Sequence, residues 1–199
     1  MTEVSKQRLL LATRNAHKTR EVREILGDGW IVEDLSVLPD LPEVEETGET
    51  FEANARLKAL AASPHYAGWV LADDSGLEVD ALDGAPGVRS ARFAGDDAEM
   101  VANRALLIEK LRGQENRSGR FRCVLALAKD GAIVRTFSGT VEGSVVGVES
   151  GEDGFGYDPL FVPEGETRTF AEMGSDEKHA LSHRGRAMRA AVEYLQSVS

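Results

Sequence analysis

Apolar residues run almost unbroken through Arg-Leu-Leu-Leu-Ala-Thr at 8–13, and after a polar stretch Val22, Ile25 and Leu26 return at helical spacing. A short apolar run suits a strand buried on both faces and the three-to-four spacing suits a helix, so the chain opens as strand, loop, helix. Residues 30–35 predict a second strand. Residues 50–62, with Phe51, Ala55, Leu57 and Ala59, predict a helix whose start Thr47 or Thr50 can cap. Residues 68–73 make a further apolar strand, expected to end at Asp73-Asp74 because Ser75-Gly76 favours a turn; the two acids would then face a cleft from a strand's end.

Farther along, residues 83–87 (Asp-Gly-Ala-Pro-Gly) read as a tight loop, and residues 98–111 as a helix through Met100, Val101, Leu106, Leu107 and Leu111. Residues 120–129 and 132–141 flank Asp130-Gly131, a pair that readily takes the left-handed backbone of a two-residue hairpin turn. Within 121–127 the odd positions, Cys123 among them, form the apolar face of a half-buried strand. Residues 150–163 are rich in glycine and acids, and Ser182 can cap a last helix from about residue 184 to about residue 195. Strands and helices are interspersed, while the hairpin breaks any purely parallel order. The predicted architecture is therefore α/β: a mixed β-sheet with flanking helices, one domain over residues 1–199 in two lobes, which allows the substrate groove between them that the family resemblance given below implies.

Charge narrows the partners. Lys and Arg total 23 against 34 Asp and Glu, a net charge of -11, which disfavours a nucleic-acid polymer but leaves a small phosphorylated ligand open. No apolar run reaches membrane-spanning length and the first residues carry no secretory signal, so a soluble cytoplasmic protein is expected. Cys123 stands alone, which excludes an internal disulfide and a multi-cysteine zinc site.

Several segments carry candidate chemistry. The loop Thr13-Arg14-Asn15-Ala16-His17-Lys18 joins a strand to a helix, where backbone N–H groups and the helix dipole favour an anion and Lys18 adds a full charge. The glycines of a P-loop are absent. Glu43, Glu45 and Glu46, and again Asp73 and Asp74, concentrate carboxylates. Magnesium prefers such oxygen ligands, and one carboxylate from each segment suffices when substrate phosphates and waters complete its shell. In Gly154-Phe155-Gly156-Tyr157-Asp158-Pro159 a ring can stack on a base and a carboxylate can accept from a purine N–H. His179 and His183 are four apart, but Ser182 and Gly185 suggest a helix break between them, and Lys178 and Arg184 nearby suit phosphate or base contacts better than zinc.

Six ordered blocks together resemble the inosine triphosphate pyrophosphatase (Ham1-like) family: residues 11–18 (Leu-Ala-Thr-Arg-Asn-Ala-His-Lys), 46–55 (Glu-Thr-Gly-Glu-Thr-Phe-Glu-Ala-Asn-Ala), 72–77 (Ala-Asp-Asp-Ser-Gly-Leu), 84–92 (Gly-Ala-Pro-Gly-Val-Arg-Ser-Ala-Arg), 154–159 and 182–184 (Ser-His-Arg). The resemblance implies a homodimer of elongated mixed α/β subunits. It further implies a Mg2+-dependent nucleoside triphosphate pyrophosphatase, cleaving dITP, ITP or XTP between the α- and β-phosphates. Removing these non-canonical purine nucleotides would keep them out of DNA and RNA. Carried over by position, Glu46 and Asp74 resemble magnesium ligands, and Asp74, or Asp73 with it, the group that activates water. Lys18 with Thr13 and Asn15 would hold phosphate in a loop that includes Arg14, Ala16 and His17, the last standing where glycine is common in the family. Lys58, Ser75 and Lys178 would complete the cradle. Phe155 would stack on the base, with Gly156 and Tyr157 in its loop, and Asp158, His183 and Arg184 would contact the 6-oxopurine or the phosphates.

Overall fold

The computed structural model describes residues 7–198, so most of the stretch read for a secretory signal lies outside the described residues. Among the described residues six strands form one mixed sheet in the order β2-β1-β3-β4-β5-β6: β1 Gln7–Leu11, β2 Trp30–Asp34, β3 Trp69–Val79, β4 Ser118–Lys129, β5 Ala132–Val145 and β6 Phe161–Pro163. Strand β1 is parallel to both neighbours, with Leu9 opposite Val32 and Trp69, whereas β6 runs antiparallel to β5. The α-helices among the described residues are α1 Ala16–Leu26, α2 Phe51–Ala62, α3 Met100–Lys110, α4 Ser175–Leu181 and α5 His183–Ser197. The mixed α/β class expected from the sequence is the one found. The chain forms two compact units, the first comprising residues up to Asp74, Val124–Ser138 and the segment from Ala187, the second Ser75–Cys123 and Gly139–Arg186.

In the first unit, Leu9, Leu10 and Leu11 of β1 are fully buried, as their unbroken apolar run requires, and α1 is the crossover to parallel β2. Thr50, not Thr47, caps α2: its hydroxyl accepts from the Ala53 N–H at 3.1 Å. The buried stripe of α2 is Phe51, Asn54, Ala55, Ala59 and Ala62, which turns Leu57, one of the apolar residues that predict the helix, outward. Strand β3 also departs from the reading. It continues through Asp73-Asp74-Ser75-Gly76 to Val79, because buried Leu77 and Val79 resume the apolar pattern, so the two acids sit within a strand. Strand β4 is fourth of six, and Cys123 to Ala128 are buried on both faces rather than alternately. At the hairpin, Asp130 (φ 51°) and Gly131 (φ 78°) adopt the left-handed pair of a tight turn, as predicted.

The second unit packs Leu77, Leu107, Leu111, Phe121, Val145, Leu160, Phe161 and Phe170 into one core, where Phe121 and Phe161 meet edge to face at 4.8 Å. Helix α3 begins at Met100 with Val101 on its exposed side. Helices α4 and α5 are divided at Ser182, where the sequence placed a break, and the Ser182 hydroxyl accepts from the Gly185 N–H at 3.0 Å as the cap of α5. Among the described residues no helix is long and apolar enough to cross a membrane.

Candidate active site

Period-two alternation along β3 separates the two acids and gives each its own lysine. Asp73, 2% exposed, is ion-paired with Lys18, which lies in the first turn of α1. Asp74, 5% exposed, meets α2 instead: Lys58 Nζ lies 3.1 Å from its Oδ1, and Asn54 Nδ2 donates to its Oδ2 at 3.3 Å. The same Lys58 ammonium holds Glu46 Oε1 at 2.8 Å. One lysine therefore gathers a carboxylate from the 43–49 loop and another from β3. Burial pushes the Asp74 carboxyl above its ordinary range, with Lys58 and Lys18 opposing that shift and Glu46 adding to it. Burial pulls the other way on Lys58, but Asp74 and Glu46 outweigh it and hold the ammonium above the usual lysine value.

The loop before α1 is more occupied than its sequence suggested. Asn15 Oδ1 accepts from the N–H groups of His17 and Lys18 at 2.9 and 3.2 Å, so part of the expected anion site is a conventional helix cap. Thr13 Oγ1 accepts from the Asn15 N–H at 3.1 Å. Arg14 reaches away to the carbonyls of Leu35 and Leu41, at 3.4 and 2.7 Å, while Ala16 and His17 are exposed. Lys18 thus stands out in this loop as the cation aimed at the acids of β3.

A second cluster belongs to the second unit. Asp158, 3% exposed, accepts at one oxygen from the Phe155 N–H at 2.7 Å and from Lys178 Nζ at 2.8 Å. Gly154 has φ 74°, and a Cβ there would collide with the Asp158 carboxylate, so this loop requires glycine at that position. Lys178 Nζ and Arg184 Cζ lie 5.0 and 5.5 Å from the centre of the Phe155 ring, and Arg184 Nη2 donates to Ser75 Oγ at 2.9 Å. Buried His183 lies parallel to Phe121, with centroids 4.7 Å apart. Gly156 offers its carbonyl to Arg104 at 3.1 Å. Tyr157 is a core residue whose hydroxyl donates to the Ser90 carbonyl at 3.0 Å, and burial raises its pKa.

Thus Lys18 with Asp73, and Glu46, Lys58 and Asp74, are brought together in the first unit; Ser75, Phe155, Asp158, Lys178 and Arg184 are brought together in the second. Three residues were missed by sequence reasoning. Asn54 had a signal, lying one helical turn before Lys58. Phe121 and Arg104 had none, because their roles depend on the distant His183 and on Gly156.

The donor set bears on a metal. Glu46 and Asp74 converge on a single cation, Lys58, and both are oxygen donors, which fits a hard divalent ion that also takes phosphate and water. Among the described residues no group of three or more His, Cys, Asp or Glu side chains forms a closed metal cage.

The family model of the Ham1 family matches residues 9–194. A protein of Exiguobacterium sp. named dITP/XTP pyrophosphatase is 53% identical over 183 residues, covering 92% of this chain and 93% of its own. One of the same name from Streptomyces coelicolor is 45% identical over 196 residues, covering 96% and 98%. The solved structure of the Staphylococcus aureus Ham1 protein superposes with a TM-score of 0.86 at 37% identity, covering 97% of this chain and all of that one. With these matches spanning nearly its whole length, the chain belongs to the Ham1 family.

Proposed function

We propose that this protein hydrolyses dITP, ITP and XTP to the nucleoside monophosphate and pyrophosphate, with Mg2+ as cofactor. The observation that carries the reading is the group Glu46–Lys58–Asp74, in which half-buried Glu46 and buried Asp74 are held by one ammonium. The relatives named dITP/XTP pyrophosphatase supply the substrate class. Glu46 and Asp74 would hold the magnesium ion, which when bound neutralises phosphate charge and lowers the barrier to attack. Asp74 takes a proton from the attacking water. The water oxygen bonds to the α-phosphorus while the α–β bridging P–O bond breaks, and pyrophosphate departs with the electron pair. Lys18 and Lys58 offset the charge gathering on the phosphates.

The second cluster takes the base and its neighbouring phosphate. Phe155 stacks on the purine, and Lys178, His183 and Arg184 donate toward O6 or phosphate, while Asp158 keeps Lys178 and the Phe155 backbone in place. We further propose that the protein works as a homodimer in the cytoplasm, clearing these nucleotides before polymerases use them.

A substrate panel at fixed magnesium tests the reading. Pyrophosphate release from dITP, ITP and XTP well above that from modified pyrimidine triphosphates is the expected result. Binding of ITP without turnover, or a preference for pyrimidines, would overturn it.

A further inference from the structure

Asn54 is fully buried on α2, and the reaction above gives it no task. Both ends of its amide are engaged: the Gly48 N–H donates to Oδ1 at 2.7 Å, and Nδ2 donates to Asp74 Oδ2 at 3.3 Å. Its orientation follows from chemistry, because only the amide oxygen can meet an N–H, which leaves the NH2 group facing the carboxylate. Asn54 precedes Lys58 by four residues, so one face of α2 addresses both Asp74 oxygens, Lys58 at Oδ1 and Asn54 at Oδ2. The loop that carries Glu46 is tied to the same amide two residues later, at Gly48.

We infer that Asn54 is a positioning residue that fixes the Glu46 loop relative to Asp74 and so sets the spacing of the carboxylate pair. This inference rests on the metal-site reading above. Lys58 also joins Glu46 to Asp74, but it does so as a flexible point charge that the proposed reaction turns toward phosphate. A short buried amide stays where it is, and being neutral it orients Asp74 without competing with a cation. Gly48 completes the joint. Its φ is not in the left-handed region, so backbone conformation alone would admit alanine; the constraint is proximity, since a Cβ there would come within 2.6 Å of Asn54 Oδ1 and 2.7 Å of the Ala53 Cβ.

Asn54→Ala removes both bonds. Gly48→Ala leaves Asn54 intact and wedges the loop away from it, so the second variant keeps the inference open to refutation if the first fails to fold. For each, two quantities are measured: the Mg2+ concentration giving half-maximal dITP turnover, and the calorimetric affinity for a non-hydrolysable α,β-methylene dITP with and without Mg2+. Loss of an outer-shell partner typically weakens metal binding by about 10- to 100-fold. Both variants should therefore raise the Mg2+ requirement by about 10-fold or more, and lose the magnesium-dependent gain in analogue affinity while keeping the metal-free affinity. A magnesium requirement within about 2-fold of the parent, with only a lower melting temperature, would overturn the positioning role and leave the metal site standing. Parent turnover and analogue affinity that ignore Mg2+ altogether would overturn the metal-site reading, and this inference with it.

Discussion

Buried within β3, Asp74 holds its proton more tightly than an ordinary carboxyl: desolvation raises its pKa, and Lys58 and Lys18 only partly offset that effect. A carboxyl with a raised folded pKa binds its proton more tightly in the fold than in the unfolded chain. Its contribution to stability is therefore fullest below the ordinary carboxylate range and is lost as pH rises through the folded value. Asp74→Asn removes the charge and keeps the shape. In the metal-free protein this variant should melt higher than the parent at about pH 7, and the gap should close as pH falls toward about 4, as thermal unfolding across that range will show. The same substitution should lower kcat by about 10^2- to 10^4-fold, the usual range for loss of a positioned acid–base group. Lys58→Met tests the other half of the pair. Leaving buried Asp74 and half-buried Glu46 without their cation should cost roughly 3 kcal/mol of stability at neutral pH, measured by denaturant unfolding.

At the scale of elements, backbone geometry decides which glycines matter. Gly185 lies at the start of α5, and a Cβ there would drive into the His179 carbonyl oxygen of α4. Gly185→Ala must therefore part the two helices that carry Lys178, His183 and Arg184. It should raise the KM for dITP and cost about 1–3 kcal/mol. Gly131→Ala, in the β4–β5 turn, gives a contrasting case: its φ of 78° should cost about 1 kcal/mol, with KM unchanged. That turn was legible because Asp-Gly is a local signal, and so were α1, α2 and the break at Ser182. The run of β3 through Ser75-Gly76 was not. Turn propensity there is overridden by the burial of Leu77 and Val79, and what covers them depends on residues far along the chain such as Phe121 and Leu160. The two-faced burial of β4 was hidden for the same kind of reason, since a strand's place in the sheet order is not written in its own residues.

For the molecule as a whole, the clustered polar side chains fall into two chemical sets. Acids and lysines of the first unit suit a metal and phosphates, and the ring and cations of the second suit a base. The residue types at these sites were readable from the sequence, and the family that the six blocks resemble is the one whose model matches residues 9–194. Their pairings were not, because each joins distant positions: Lys18 to Asp73, Lys58 to Asp74, Lys178 to Asp158. The most direct test of the account is the identity of the products. Followed by phosphorus NMR, dITP incubated with the protein and Mg2+ should give deoxyinosine monophosphate and pyrophosphate in equal amounts, with turnover abolished when the divalent cation is chelated. Deoxyinosine diphosphate with orthophosphate, or undiminished turnover after chelation, would contradict it.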